Sequence, residues 1–330
     1  MTTKYQILQL LEESGGRLIS GGEIAQRLSI SRTAVWKQIS ALQQEGYQIT
    51  AEPSKGYLLG ESDVISEYEI RKRLQTHTLG QDLRYFPVID STNTYAKTTP
   101  DLPDGAVIVA SQQTNGVGRL SRKFYSPEKA GVYLSILLRP HTIAMADIST
   151  ITLLAAVAVV DTVEQLTGVR PQIKWTNDVY MNRRKICGIL TEATIEGESG
   201  MIQSIIVGIG INLFQNYEDF DPSIRDIAGS VLTETGKRVH PADYAAALVR
   251  NFEKYYIDGQ FPKNKAEFLK VYRDALFFLG ETVQVISFKE TYSAVAVDIN
   301  EQGELIVRRD DGSLVALNSG EISLKLQRHI

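Results

Sequence analysis

Residues 148–166 constrain the fold more than any other stretch. Ile148, Ile151, Leu153, Leu154, Val157, Val159, Val160, Val163 and Leu166 leave almost no polar face. A helix that is apolar nearly all round must be buried, so this stretch reads as a long helix packed on a sheet. Its most apolar run, residues 151–160, is too short to span a bilayer and is closed by Asp161. The sheet partners are short apolar runs at 83–88, 106–110, 131–138, 173–175, 185–196 and 203–213. A helical run from Ser62 to near Leu74 precedes them. Residues 241–256 and 264–272 read as further helices. Strand-rich and helix-rich stretches alternate irregularly. That favours an α+β arrangement, a mixed sheet with helices on one face, over a doubly wound fold.

The chain has 330 residues, enough for two or three domains. Three segments differ in pattern, at 1–62, 63–273 and 274–330. In the first, Tyr5, Ile7, Leu8, Leu10 and Leu11 recur with helical period and Gly15-Gly16 ends the run. Ser20 with Glu23 three residues on marks a second helix, and Ser31 caps a third. The third carries Val35, Ile39 and Leu42 inward and leaves Arg32, Thr33, Lys37 and Gln38 on an outward face. Two β-prone runs around Pro53-Ser54-Lys55-Gly56 then read as a hairpin. This is the layout of a winged helix-turn-helix, with Lys55 at the wing tip. The segment reads either as a DNA-binding module or as a small helical interaction domain. Its near balance of acidic and basic residues implies that one copy binds DNA weakly and that a dimer is needed. The last segment offers four short strands separated by Gly280, Gln302-Gly303 and Asp311-Gly312, the pattern of a small SH3-like β-barrel.

Hydrophobic content of 43% and charged content of 22% describe a soluble globular chain, and the net charge of -4 argues against a wholly nucleic-acid-coating protein while leaving room for a local basic patch. Cys187 is the one cysteine, so no intrachain disulfide is possible and a reducing compartment fits. His77, His141, His240 and His329 are scattered, which argues against a zinc site, and no metal ligands are assigned. The first residues lack a signal-peptide core. The expectation is a cytoplasmic protein with no membrane partner.

Several segments in the middle carry chemistry. Lys174-Trp175-Thr176-Asn177-Asp178 puts a cation and a carboxylate at the end of an apolar strand. Buried ionisable groups are costly unless paired or put to use. The stretch is therefore a structural Lys–Asp pair or part of a site. Asp90-Ser91-Thr92-Asn93 sits at a strand-to-helix junction, suited to a polar or anionic group, or simply to a helix cap. Gln113 and the loop from Gly116 through Val117, Gly118, Arg119 and Arg122 to Phe124 offer close backbone approach and three cations in five residues. The loop is an anion site or a solvated surface loop, and repulsion among its cations should leave it mobile when empty. Gly208 and Gly210 lack the third glycine of a dinucleotide turn, so residues 208–212 read as a strand ending on the polar Asn212. Cations from two segments around one sheet suit joining a carboxylate to a polyphosphate, because both reactants are anionic and repel each other. Lys174, Lys185, Arg119 and Arg122 could supply that charge, with Mg²⁺ shared among the phosphates.

Taken together, Asp90 to Asn93, Gln113 with Gly116 to Arg122, Lys174 to Asp178, Arg184-Lys185 with Gly188-Ile189-Leu190, and Gly208 to Asn212 resemble the bifunctional biotin–protein ligase and biotin operon repressor family. The resemblance runs along the whole chain. It implies that biotin and ATP give biotinyl-5′-adenylate and pyrophosphate, and that biotin then passes to a lysine of a biotin carboxyl carrier protein. It further implies that Ser91, Thr92, Asn93 and Gln113 line the biotin site while Gly116, Val117, Gly118 and Arg119 fold over it. Lys185 would contact the biotin carboxylate or the acyl phosphate, and Lys174 the charge growing at the α-phosphate. Arg119, Arg122, Phe124 and Asn212 would border the adenylate. Asp178 is the candidate for orienting or accepting the carrier lysine's proton. Biotin and ATP would be substrates, with Mg²⁺ expected. The adenylate-bound form would be a homodimer on operator DNA, contacted through Arg32, Thr33, Lys37, Gln38 and Lys55. Val117 and Thr176 depart from the family, which usually has arginine and proline at those places. A lipoate–protein ligase, or a ligand-sensing transcription regulator with weak ligase activity, remain the alternatives.

Overall fold

The computed structural model describes residues 2–140, 143–197, 201–286, 290–318 and 321–324; His141 and His329 lie outside them. The chain divides into two compact units, Met1–Lys72 and Arg73–Ile330.

In the first unit, α1 (Thr3–Glu13), α2 (Gly21–Leu28) and α3 (Arg32–Gln44) enclose a core of Ile7, Leu8, Leu11, Ile24, Val35, Ile39 and Leu42. The Ser20 hydroxyl accepts from the Glu23 N–H at 3.1 Å and the Ser31 hydroxyl from the Ala34 N–H at 3.1 Å. Both helix starts are thus capped by the serines that mark them in sequence. Strands β1 (Ile49–Glu52) and β2 (Gly56–Leu59) pair antiparallel as the wing. Helix α4 (Glu67–Arg73) is shorter than the run beginning at Ser62 suggests. Ser66 stops it: its hydroxyl accepts from the Glu69 N–H at 3.2 Å, so the helix starts there.

The second unit opens with β3 (Leu83–Phe86), α5 (Thr92–Thr98), β4 (Val107–Ala110), β5 (Gly131–Leu138) and α6 (Ile148–Thr167). It continues through β6 (Gln172–Lys174), β7 (Asp178–Met181), β8 (Arg184–Ile195) and β9 (Ile202–Asn212). Helices α7 (Val231–Thr235), α8 (Pro241–Glu253) and α9 (Ala266–Ala275) follow. Seven strands form one sheet in the order β3-β4-β5-β9-β8-β7-β6. Only β3 and β4 are parallel, so the sheet is mixed.

Alternation along the strands gives the sheet two unlike faces. One buries Leu134, Ile136, Val207 and Ile209. Helix α6 lies over this face, its Thr152 hydroxyl donating to Thr191 opposite Val207 at 2.7 Å, and it packs against α8 and α9. The helical stretch Met145–Thr167 is long and apolar enough to cross a bilayer by length and composition, unlike its ten-residue apolar centre. Here 67% of its most apolar window is buried inside the protein, where it serves as the core helix. Helices are not confined to that face. Helix α5 covers the other one, packing Ala96 on Ile108, Leu137 and Ile206. Those three apolar residues alternate away from α6 and would otherwise meet water.

After α9, β10 (Thr282–Ile286), β11 (Thr291–Ile299), β12 (Leu305–Arg308), β13 (Leu314–Leu317) and β14 (Glu321–Leu324) form a five-stranded antiparallel sheet, ordered β13-β12-β11-β10-β14. The fifth strand, β14, adds to the four that the sequence pattern marks.

Candidate functional site

A cavity of about 390 Å³ opens on the α5 side of the sheet. Its floor is bare strand. Gly188 and Gly210 face each other across β8 and β9, and the Phe124 ring lies over both. A Cβ built on Gly210 would stand 2.4 Å from Phe124 Cε1, and one on Gly208 would stand 2.2 Å from Asn93 Oδ1. Close approach is thus what these two glycines provide.

One end of the cavity is a closed polar network. The Thr92 N–H and hydroxyl both donate to Gln113 Oε1, at 2.8 and 3.1 Å. Gln113 Nε2 donates to the Ser126 hydroxyl at 3.2 Å. The Ser135 hydroxyl lies 2.7 Å from Thr92 Oγ1 and 2.6 Å from Asn93 Oδ1, and Asn93 Nδ2 donates to Glu192 at 2.8 Å. Such a network holds its donors and acceptors in fixed directions. Ser91 both caps α5, accepting from the Thr94 N–H, and lines the cavity, so the two readings of that junction coexist.

The other end is cationic, lined by Arg119, Arg122, Lys123, Lys174 and Lys185. Lys185 gets there through a β-bulge. Along β8, Val179 of β7 faces Cys187 but Tyr180 faces Lys185, so Ile186 is an extra residue. Without that extra step, alternation would turn Lys185 away from Gly188 and toward α6. With it, Lys185 Nζ comes within 3.3 Å of a Cβ built on Gly188 and 2.6 Å from Asp178 Oδ1. That is an ion pair by distance, though the angle is not that of a hydrogen bond. Lys174 faces Asp178 across the β6–β7 ladder and lies 5.9 Å from the centre of the Tyr180 ring. Lys185 is thus a charged partner of Asp178. Burial pushes the Tyr180 phenol and the Cys187 thiol upward, so both stay protonated and Cys187 is no nucleophile.

The turn between β6 and β7 is anchored on three sides. The buried Trp175 indole donates to the Gly303 carbonyl at 3.0 Å. Tyr272 donates to the Thr176 carbonyl at 2.9 Å, and Asn177 Nδ2 to the Ile189 carbonyl at 2.9 Å. Residues 116–124 form a narrow hairpin, with Gly118 N–H donating to the Arg122 carbonyl at 2.7 Å and Phe124 N–H to the Gly116 carbonyl at 2.9 Å. From it Arg119 reaches over to the turn. Val117 stands 43% exposed on the same hairpin.

Every residue expected to meet biotin or the adenylate lines this one cavity, except Gly116, which sits at the hairpin base. Asn212 does so at the end of β9, donating to the Gly229 carbonyl at 3.0 Å. Sequence reasoning missed Ser135, whose signal is the one serine inside an otherwise hydrophobic strand. Lys123, counted among the loop's three cations but given no role, lines the cavity too; Tyr180 and the wall formed by Phe220, Ile224 and Ile227, which has no periodicity to reveal it, were missed. Among the described residues no group of three or more His, Cys, Asp or Glu could hold a metal ion.

In the first unit, Arg32, Thr33 and Lys37 are exposed on α3, Gln38 is half-buried, and Lys55 at the wing pairs with Glu52 at 2.9 Å. Trp36, unmarked in the sequence pattern, stands 61% exposed among them.

Comparison with known proteins gives three domain matches: the biotin/lipoate A/B protein ligase family over residues 85–212, an HTH domain over 3–58 and the biotin protein ligase C-terminal domain over 278–325. The chain is 36% identical over 329 residues to the bifunctional ligase/repressor BirA of Bacillus subtilis, covering 98% of this chain and 99% of that one. It is 29% identical over 330 residues to the protein of that name from Escherichia coli, covering 98% of each. A solved structure of the biotin protein ligase of Aquifex aeolicus, in complex with biotin and ATP, superposes with a TM-score of 0.64 at 28% identity. It covers 74% of this chain and 99% of that one.

Proposed function

The chain belongs to the bifunctional biotin–protein ligase/repressor family, and from that premise we propose how its own residues carry out the two activities. It is an ATP-dependent biotin–protein ligase, forming biotinyl-5′-adenylate and passing biotin to a carrier lysine, and a biotin-responsive repressor. We infer three functional domains, 1–62 for DNA, 63–273 for ligation and 274–330 as an SH3-like barrel.

What carries the assignment of roles is the polarity of the cavity: neutral hydrogen-bonding groups at one end and cations at the other. Biotin is such a molecule, with a ureido ring at one end and a carboxylate at the other. Thr92, Asn93, Gln113 and Ser91 hold the ureido group, and Ser135 fixes their orientation. Lys185 draws the carboxylate toward the α-phosphorus of ATP. A carboxylate oxygen attacks, the bond to pyrophosphate breaks, and Lys174, Arg119 and Arg122 offset the charge that gathers at phosphorus. Phe124 and Asn212 border the adenine. The carrier lysine's amine then attacks the acyl carbon, AMP leaves, and Asp178 orients or accepts the amine's proton. Among the described residues Asp178 is the one carboxylate lining the cavity, it is already engaged by Lys185, and no all-protein cage for Mg²⁺ is formed. The ion would travel on the phosphates of ATP and lessen their repulsion of the biotin carboxylate.

Arg32, Thr33, Lys37 and Gln38, with Lys55 on the wing, contact operator DNA, and the exposed Trp36 adds an apolar contact to sugars or thymine methyls. We further propose a cytoplasmic protein, a homodimer when adenylate is bound, and a biotin carboxyl carrier protein as acceptor. The deciding experiment is labelling of a carrier domain by the purified protein with biotin and ATP, run beside Lys185→Ala and with lipoate as competitor substrate. Label that ignores Lys185, or that prefers lipoate, defeats the assignment. Operator affinity indifferent to biotin and ATP would remove the regulatory half.

A further inference from the structure

We propose that Thr176 is a positioning residue that straps the 116–124 hairpin down over the cavity. Arg119 Nη1 donates to the Thr176 hydroxyl at 3.0 Å and to Asn177 Oδ1 at 2.9 Å. The Thr176 hydroxyl lies 3.4 Å from Asn177 Oδ1, so it can accept from the guanidinium and donate onward. Both acceptors belong to the turn held by Tyr272 and by the carbonyls of Ile189 and Gly303. The strap therefore ties a thin hairpin to a fixed post. The tie uses one guanidinium nitrogen. Among the described residues Nε and Nη2 make no hydrogen bond or ion pair, so a ligand phosphate can be bound while the tie holds.

Thr176 is the residue that makes this possible. Proline, the usual family residue here, has no side-chain acceptor, and Asn177 alone would then hold Arg119. The hairpin in this chain also lacks a cation at Val117, which weakens its attraction to an anionic ligand. The hydroxyl at 176 replaces part of that attraction with a contact that needs no ligand. A closed hairpin keeps water from the acyl–phosphate anhydride, where attack at the acyl carbon breaks the acyl–oxygen bond and releases biotin and AMP.

This rests on the ligase reading, and the experiment separates the two. Full-length wild type, Thr176→Ser, Thr176→Val and Thr176→Pro are supplied with biotin and ATP without carrier. AMP production, the KM for biotin and the rate of transfer to added carrier are then measured. Loss of one charge-assisted hydrogen bond should raise carrier-free AMP production about fivefold in the Val and Pro variants. Their KM for biotin should rise with little change in transfer rate, while Ser stays at the wild-type level. A Val variant as tight as wild type, or a Ser variant as leaky as Val, overturns the strap. Wild type that makes no adenylate from biotin and ATP overturns the ligase reading and the strap with it.

Discussion

The two faces of the seven-stranded sheet are built from the same strands and do opposite work. Toward α6 and α8 the strands present Leu134, Ile136, Val207 and Ile209, all buried. One residue further along they present Ser135, Gly208, Gly210 and Asn212, and the cavity lies there. The lesson is that a single alternation separates what holds the protein together from what touches ligand. Stability and activity should then be removable independently, one face at a time.

Four substitutions can break that separation or sharpen it. Leu134→Ala removes a fully buried side chain from the α6 side and should cost about 3 kcal/mol of stability. Urea denaturation should show it, with near-normal adenylate formation per folded molecule; a matching collapse in activity would mean that the faces are coupled. Lys185→Ala should do the reverse, lowering adenylate formation by about a hundredfold, as expected for a lost transition-state charge, with the unfolding midpoint little moved. Asp178→Asn keeps the shape of the turn and removes the charge. Transfer from preformed adenylate should slow by about tenfold while adenylate formation changes less. Normal transfer would strip Asp178 of its role. Ser135→Ala should have the smallest effect, a rise in the KM for biotin of about threefold, since only neutral contacts, to Thr92 and Asn93, are lost.

Much of this sheet was legible in the sequence. Residues 131–138, 185–196 and 203–213 match β5, β8 and β9 to within a residue at each end, because long apolar runs admit few other homes. β7 was not legible, since Asp178-Val179-Tyr180-Met181 begins on a charge and is four residues long. The predicted cations do meet at one cavity, and the polar groups Thr92, Asn93 and Gln113 meet at its other end. What composition and spacing could not reveal is the bulge at Ile186. A period-two reading puts Lys185 on the buried side, and only pairing with β7 discloses the extra residue that turns it round. The side of the sheet chosen by α5 was hidden for a similar reason. Which way a strand faces is a relation between strands, whereas hydropathy belongs to each strand alone. Residues 220–228 left no trace because a loop that wraps a cavity needs apolar atoms but no period.

The bond from Trp175 to the Gly303 carbonyl has a reach beyond its own length. Gly303 lies in the turn between β11 and β12, so the carboxy-terminal sheet supplies the acceptor for an indole one residue from Lys174. Cutting the chain after α9 would leave that N–H stranded in an apolar setting, at a cost of about 1–3 kcal/mol. A truncated enzyme should therefore be lame as well as fragile, its post for the ammonium groups loosened by the loss of a module distant in sequence.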